Sequence, residues 1–282
     1  MNILLLGSTG MIGHKIFQVL SKNKKLNIFN MSRSRLNQET ILIDLLRIED
    51  LIENIEKIQP DFIINAAGIL IEDSELNPLN SIKLNATLPL ILSEISKRYK
   101  FKLIQISTDC VFSGKDGPYL PYDLRDACSV YGKTKALGEV DDGSNLTIRT
   151  SVIGPDLAAD GKELFNWFMN QSGEINGYSK SMWSGVTTIE LAKCVEFCIL
   201  NKKTGINNLT SGTAISKYEL LRLINKLSGK NLTINKIDGP SNNKVLRTQS
   251  PFFYDEPQVY SELIKKMIDD IAESKIYSNY KL

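Results

Sequence analysis

Apolar and polar positions follow two rhythms through the first half of the chain. Short, nearly unbroken apolar runs, "NILLLG", "LNIFNM", "DFIINAAG" and "KLIQIST", take turns with longer amphipathic stretches. Continuous apolar strands separated by helical patterns are the signature of a parallel sheet covered on both faces. Behind the first run, Ile12, Ile16, Val19 and Leu20 fall at i, i+4, i+7 and i+8, so a helix there lays one apolar stripe against the sheet. The same reading predicts helices over "IEDLIENIEKI", "LNSIKLNATLPLILSEISKRY" and "YGKTKALGEV", with a strand at "NLTIRTSVIG". Beyond it, helices at "KELFNWFMNQ", "TTIELAKCVEFCIL", "SKYELLRLINKLSG" and "VYSELIKKMIDDIAES" are spaced by short strands and polar loops. There is no repeat and no low-complexity linker, so the second half reads as a smaller lobe returning elements to the first.

Composition narrows the classes. Lys and Arg exceed Asp and Glu by only 34 to 32, which leaves no global field for a nucleic-acid partner. Cys110, Cys128, Cys194 and Cys198 form no C-x-x-C pair and His14 is the single histidine, so no metal is expected. Cys194 and Cys198, one helical turn apart in an apolar run, read as small core residues. No apolar stretch is long enough to span a bilayer and no basic leader opens the chain, so a cytoplasmic setting without a membrane partner is expected.

The first strand gives way to its helix through "GSTGMIG", with Gly7, Gly10 and Gly13 at intervals of three. That spacing differs by one residue from the G-x-G-x-x-G dinucleotide fingerprint but meets similar demands: a sharp turn, a backbone approachable by a pyrophosphate, and close helix–strand packing. The helix start then offers free N–H groups and a positive dipole end to phosphates, with Thr9, Met11 and Ile12 beside the glycines as candidate contacts. After the second strand, where an NAD site usually places an acid, the chain reads "NMSRSR". Ser32, Arg33 and Arg35 there suit a ribose 2′-phosphate, so NADP(H) is preferred over NAD(H). Asp44, followed by Leu45, stands where an adenine amino group would be met, and Ala66, Ala67 and Gly68 leave room for a flat ligand at a strand end. The fold expected is therefore α/β, a Rossmann-type doubly wound parallel sheet with a smaller α/β C-terminal substrate lobe. The NADP-binding part is expected over 1–153 and the lobe over 154–282, partly interleaved with it.

A reactive constellation follows. Tyr131 and Lys135 in "YGKTK" are spaced i, i+4 and share a helix face, so a neighbouring ammonium is expected to lower the phenol's pKa into a usable range. Thr108 ends the strand "KLIQIST", behind Ser107, where a hydroxyl can hold the oxygen that Tyr131 protonates.

The glycine loop, strand-end hydroxyl and Tyr/Lys pair, in this order, resemble the extended short-chain dehydrogenase/reductase superfamily. "ISTDCVFSGKDGPY…VYGKTKALGE" is most similar to the dTDP-4-dehydrorhamnose reductases and related nucleotide-sugar 4-ketoreductases. "NAAG", "LNATLPL", "IRTSVIG" and, more loosely, "WSGVTTIELAK" extend the likeness over nearly the whole chain. The resemblance implies NADPH-dependent reduction of the 4-keto group of a nucleotide-activated deoxysugar, in cell-surface polysaccharide precursor synthesis. It makes Thr108, Tyr131 and Lys135 the catalytic triad, with Tyr131 and Lys135 also against the cofactor. It places Asp109, Cys110, Val111 and Phe112 in the sugar pocket and gives Asn85 and Ser107 a part in the cofactor site. Trp183 is a candidate to stack on base or sugar, and Lys244 and Arg247 to neutralise the nucleotide-diphosphate sugar. Self-association as a homodimer is the expected assembly.

Departures from the pattern keep rival readings open. The dehydratases of the superfamily carry a Glu where this chain has Cys110, and the epimerase-reductases with a thiol near that point pair it with a histidine that is missing here. Some relatives bind NADP as regulatory subunits without turning over a sugar. An intact Thr/Tyr/Lys set argues for catalysis.

Overall fold

A computed structural model of the chain describes residues 1–249 and 251–280. In chain order come β1 (Asn2–Leu6), α1 (Met11–Leu20), β2 (Asn27–Ser32), β3 (Ile41–Leu42), α2 (Ile48–Ile58), β4 (Phe62–Asn65), α3 (Ile71–Leu76), α4 (Pro78–Ser81), a π-helical turn (Ile82–Thr87), α5 (Leu88–Tyr99) and β5 (Lys102–Thr108). A 3-10 turn (Asp109–Val111), α6 (Val130–Leu137), β6 (Leu146–Thr150), β7 (Val152–Ile153) and α7 (Leu164–Met169) follow. The later elements are β8 (Glu174–Tyr178), β9 (Ser181–Trp183), β10 (Val186–Thr187), α8 (Thr188–Leu200), β11 (Gly205–Asn208), β12 (Ile215–Ser216), α9 (Lys217–Ser228), β13 (Thr233–Ile237), β14 (Asn242–Asn243) and α10 (Tyr260–Glu273).

The main sheet has seven strands in the order β11-β6-β5-β4-β1-β2-β3, every neighbouring pair parallel. The chain leaves β1 outward to β2 and β3, then restarts on the other side at β4, so a crevice opens above the carboxyl ends of β1 and β4. The apolar runs are unbroken because successive residues feed opposite cores. Ile3, Leu5 and Ile64 face one layer with α1 and α8, whereas Leu4, Leu6 and Ile63 face the other with α2 and α5. Each such side chain, fully shielded, stabilises the fold by roughly 1.5–3 kcal/mol.

One strand of the sheet was not marked by the apolar rhythm. The polar segment Gly205–Asn208 adds the outermost strand, and α8 seals the first layer with Leu191, Cys194, Val195 and Cys198. The helix expected to run unbroken to Tyr99 instead passes through the π-helical turn, in which the Leu88 N–H bonds Lys83 O. Pro89, lacking an N–H, cannot serve the carbonyl of Asn85, and the widened turn relieves that conflict. A second core joins α7, α9 and α10 through Phe165, Phe168, Leu220, Ile224, Ile264 and Met267. No helix among the described residues is long and apolar enough to cross a membrane.

His14 stitches the C-terminal segment to the glycine turn. Its Nδ1 lies 2.9 Å from Gly10 O and its Nε2 2.7 Å from the Tyr277 hydroxyl. The neutral ring with the proton on Nδ1 donates to the carbonyl and accepts from the phenol. Burial pushes its pKa from 6.5 down to about 4. Because the folded value is depressed, the unfolded chain takes up a proton first as pH falls, so this stability is whole above pH 6.5 and lost on the way down to about 4. The loss is on the order of 2–3 kcal/mol. Denaturant titrations from pH 7 to pH 4 should show His14→Gln less stable at pH 7 and flatter below it; parallel curves would assign the acid sensitivity elsewhere.

Candidate active site

Three strand ends reach the crevice: Gly7 after β1, Ala66 and Ala67 after β4, and Thr108 closing β5. The glycines divide their work. Gly7 has φ +80, and a Cβ there would stand 2.8 Å from the Ala67 Cα; a Cβ on Gly13 would stand 2.0 Å from Gly7 O. Both serve the chain's own close packing. Gly10 is exposed and a Cβ on it would meet only Gly7 O, at 3.5 Å, so its bareness leaves space above the turn rather than inside it. Gly10 is also the N-cap of α1, whose first turn has no side-chain cap and no acidic residue. The N–H groups of Met11, Ile12 and Gly13 therefore face that space without helical partners, as an anion cradle.

The segment after β2 lies beside the cradle, with Ser34 Oγ 3.3 Å from Thr9 Oγ1. Arg33 and Arg35 are exposed and neither takes part in an ion pair among the described residues; Arg35 reaches only Gln38 O. Ser32, by contrast, is buried and turns its hydroxyl to Ser34 O. Asp44 is exposed and accepts from the Leu46 N–H at 3.0 Å, capping a turn, while the Leu45 side chain is buried in the second layer.

Asn85, in the π-helical turn, spends its side chain on protein. Oδ1 accepts from Ile69 N–H at 2.8 Å, and Nδ2 donates to Ile69 O at 3.0 Å and Thr134 Oγ1 at 3.3 Å. It thus pins the loop after β4 to α6 instead of reaching for a ligand. Ser107 likewise points away from the crevice, donating to Glu139 at 2.6 Å.

Helix α6 presses on the 3-10 turn so closely that a Cβ on Gly132 would fall 2.2 Å from Cys110 O. That approach, with Ser129 capping the helix by accepting from Gly132 N–H at 3.1 Å, brings Tyr131 to the end of β5. Thr108 Oγ1 accepts from Cys110 N–H at 3.1 Å and lies 3.2 Å from Asp109 Oδ1. Burial pushes the half-buried Tyr131 phenol well above its ordinary pKa, helped by Cys110, Glu163 and Asp109, with the Thr108 hydroxyl acting the other way. The expected lowering by Lys135 is therefore not what the protein does. The Lys135 ammonium donates to Ile106 O at 2.7 Å. Its own pKa is brought down to about 8 by burial, against the opposing charge of Glu139. Burial also raises Asp109, and lifts the Cys110 thiol to about 11 with help from Asp109, so the thiol keeps its proton at neutral pH.

Burial corrects two expectations. Val111 and Phe112 are fully buried, Phe112 stacked on Tyr119 at 4.0 Å, and form a small core with Leu246 instead of lining a pocket. Trp183 is also core: its ring packs on Tyr260 at 5.5 Å and its Nε1 donates to Ser151 Oγ at 2.7 Å. Lys244 is the charge that most favours the Asp109 carboxylate, while Arg247 is exposed. Two contributors went unforeseen. Lys217, first residue of α9, sits 5.5 Å from the Trp183 ring and acts on Asp109 and Cys110; Glu163, N-cap of α7 without bonding its own helix, acts on Tyr131 and Lys217. The S-x-x-E capping box of Ser216 and Glu219 marks the start of α9 in the sequence, and so the place of Lys217; nothing local marks Glu163. Among the described residues no His/Cys/Asp/Glu cluster could hold a metal ion.

The family model described as the RmlD substrate binding domain matches residues 1–233. The chain belongs to that family. Among curated relatives of this RmlD-type chain, a dTDP-4-dehydrorhamnose reductase of Shigella flexneri is 28% identical over 255 residues, covering 84% of this chain and 83% of that one. Methionine adenosyltransferase 2 subunit beta of Mus musculus is 28% identical over 141 residues, 49% of this chain and 41% of that one. In solved structures the RmlD-type fold recurs in a dTDP-4-dehydrorhamnose reductase of Clostridium acetobutylicum, TM-score 0.80 at 22% identity, over 96% of this chain and 100% of that one. It recurs also in a dTDP-4-dehydrorhamnose reductase of Bacillus anthracis solved in complex with NADP, TM-score 0.79 at 17% identity, over 95% and 99%. The RmlD match ends before Lys244 and α10, so part of the wall around Asp109 lies beyond it.

Proposed function

We propose that the chain reduces the 4-keto group of a nucleotide-activated deoxysugar with NADPH, as the reductases named among its relatives do. The observation that carries the reading is Tyr131 set against Thr108 at the carboxyl end of β5, beside a glycine cradle whose middle glycine no part of the chain requires. The cradle fits the cofactor: Met11, Ile12 and Gly13 N–H groups would hold the pyrophosphate, Ala66 and Ala67 leave room for a flat ring, and Arg33 and Arg35 would meet the 2′-phosphate. NADPH supplies hydride when bound. Thr108 orients the carbonyl oxygen, and Tyr131 delivers the proton to it.

The protonation states favour reduction. With its pKa pushed up, Tyr131 is a loaded proton donor at neutral pH, whereas an epimerase working through transient oxidation needs the phenolate as base. The Cys110 thiol, at about 11, is likewise no ready base for removing a carbon-bound proton.

The test is the loss of reduced-nicotinamide absorbance on mixing the purified chain with NADPH and dTDP-, UDP-, GDP- or CDP-4-keto-6-deoxy sugars. Turnover with one of them is expected; tight NADPH binding with no turnover would support a regulatory role instead. Replacing Arg33 and Arg35 together by Ala should weaken NADPH by roughly ten- to hundredfold and leave NADH nearly unchanged. Equal losses for both cofactors would rule out 2′-phosphate recognition there.

A further inference from the structure

The carboxylate of Glu139, two residues past the end of α6, is wholly shielded from solvent. It accepts from Ser107 Oγ at 2.6 Å, Arg149 Nε at 2.9 Å, Arg149 Nη2 at 2.7 Å and Arg125 Nη1 at 3.1 Å. Ser107 directly precedes Thr108 on β5, and the Lys135 ammonium holds Ile106 O one residue further back. Arg149, on β6, is fixed in turn by Pro121 O at 3.0 Å and by the Phe112 ring, 4.9 Å from its guanidinium. A buried ionic group with every lone pair served is rigid, and it transmits displacement of one member to the others.

We infer that Glu139 is a positioning residue for the proposed reduction, an inference that rests on that reading. Its carboxylate, ion-paired with Arg149 and Arg125, locks the strand end carrying Thr108 to the segment that leaves the helix carrying Tyr131 and Lys135, and its charge acts on the buried Lys135 ammonium. A purely structural ion pair with Arg149 would account for the hydrogen bonds but not for a coupling to Lys135, and that coupling separates the two roles. Burial alone drives Lys135 toward the neutral amine, and Glu139 is the group that opposes it.

The experiment follows the titration of Lys135 by NMR of lysine labelled at Cε, its signal assigned with Lys135→Arg, beside the pH profile of kcat. In Glu139→Gln, Lys135 should titrate roughly one pH unit lower than in the wild type. The alkaline limb of kcat should move with it and kcat itself fall at least about tenfold. Glu139→Asp, which keeps the charge but shortens its reach, should return the titration to near the wild-type value while kcat stays reduced. Should Glu139→Gln not fold because Arg149 is stranded, Glu139→Gln with Arg149→Met replaces the buried pair by neutral groups and is read the same way. A folded variant, single or double, in which Lys135 titrates where the wild type does overturns the inference. Absence of turnover by the wild-type chain would sink the reductase reading alone, since the titration needs no substrate.

Discussion

Replacing Tyr131 by Phe lowers kcat for the sugar reduction by roughly 10²–10⁴-fold, the usual loss when a positioned proton donor is removed. NADPH affinity and thermal stability should hardly move. The ring stays half-buried in its place, and Thr108 keeps its partners, the Cys110 N–H and Asp109, so no buried polar group is stranded by the change. Loss of turnover with an unchanged dissociation constant for NADPH, measured by fluorescence titration, is the signature of an interaction made only as the carbonyl is reduced. A variant that turned over at the wild-type rate would remove Tyr131 from the chemistry, and with it the meaning of α6 pressing on the catalytic turn. Thr108→Val should cost less, because it loosens the carbonyl oxygen without removing the proton.

The fold could be read in advance wherever burial is two-sided. Ile3, Leu4, Leu5 and Leu6 feed two cores in alternation, so the strand has to be apolar throughout, and the letters show it. The outer strand at Gly205–Asn208 could not be read that way, because only Ile206 of its four residues is apolar and its asparagines serve a network: Asn208 lies against Arg149 and donates to Tyr119 O. The same contrast divides the site. Glycines and the Tyr/Lys spacing are local patterns, and they end where local geometry sends them. Val111 and Phe112 were placed in the pocket by resemblance and Trp183 by its aromatic ring, but the tertiary fold turns all three side chains into cores. Lys217 and Glu163 reach the cleft from helix starts far along the chain, a juxtaposition only the tertiary fold creates. Lys135 shares helix α6 with Tyr131, yet its ammonium donates to Ile106 O, because a buried cation needs a hydrogen-bond acceptor.

Gly13→Ala and Gly10→Ala should separate what the opening turn does for the fold from what it does for the nucleotide. At Gly13 the new methyl would meet Gly7 O at 2.0 Å, backbone against backbone, and α1 can make room only by lifting off β1. That variant is expected to lose roughly 2–3 kcal/mol of stability, or to fail to accumulate as folded protein, since overpacked contacts without a flexible side chain have nowhere to yield. At Gly10 the backbone, φ −72 and ψ 165, is open to any residue and the methyl meets nothing closer than 3.5 Å. The unfolding free energy from denaturant titration should then fall by no more than about 1 kcal/mol, the cost of an alanine at an N-cap. NADPH affinity should nevertheless fall on the order of a hundredfold, because the methyl enters the space into which the Met11, Ile12 and Gly13 N–H groups point. A stable Gly10→Ala protein that binds NADPH as tightly as the wild type would mean that no pyrophosphate lies over that turn, and the cradle would then be only a tight connection between β1 and α1.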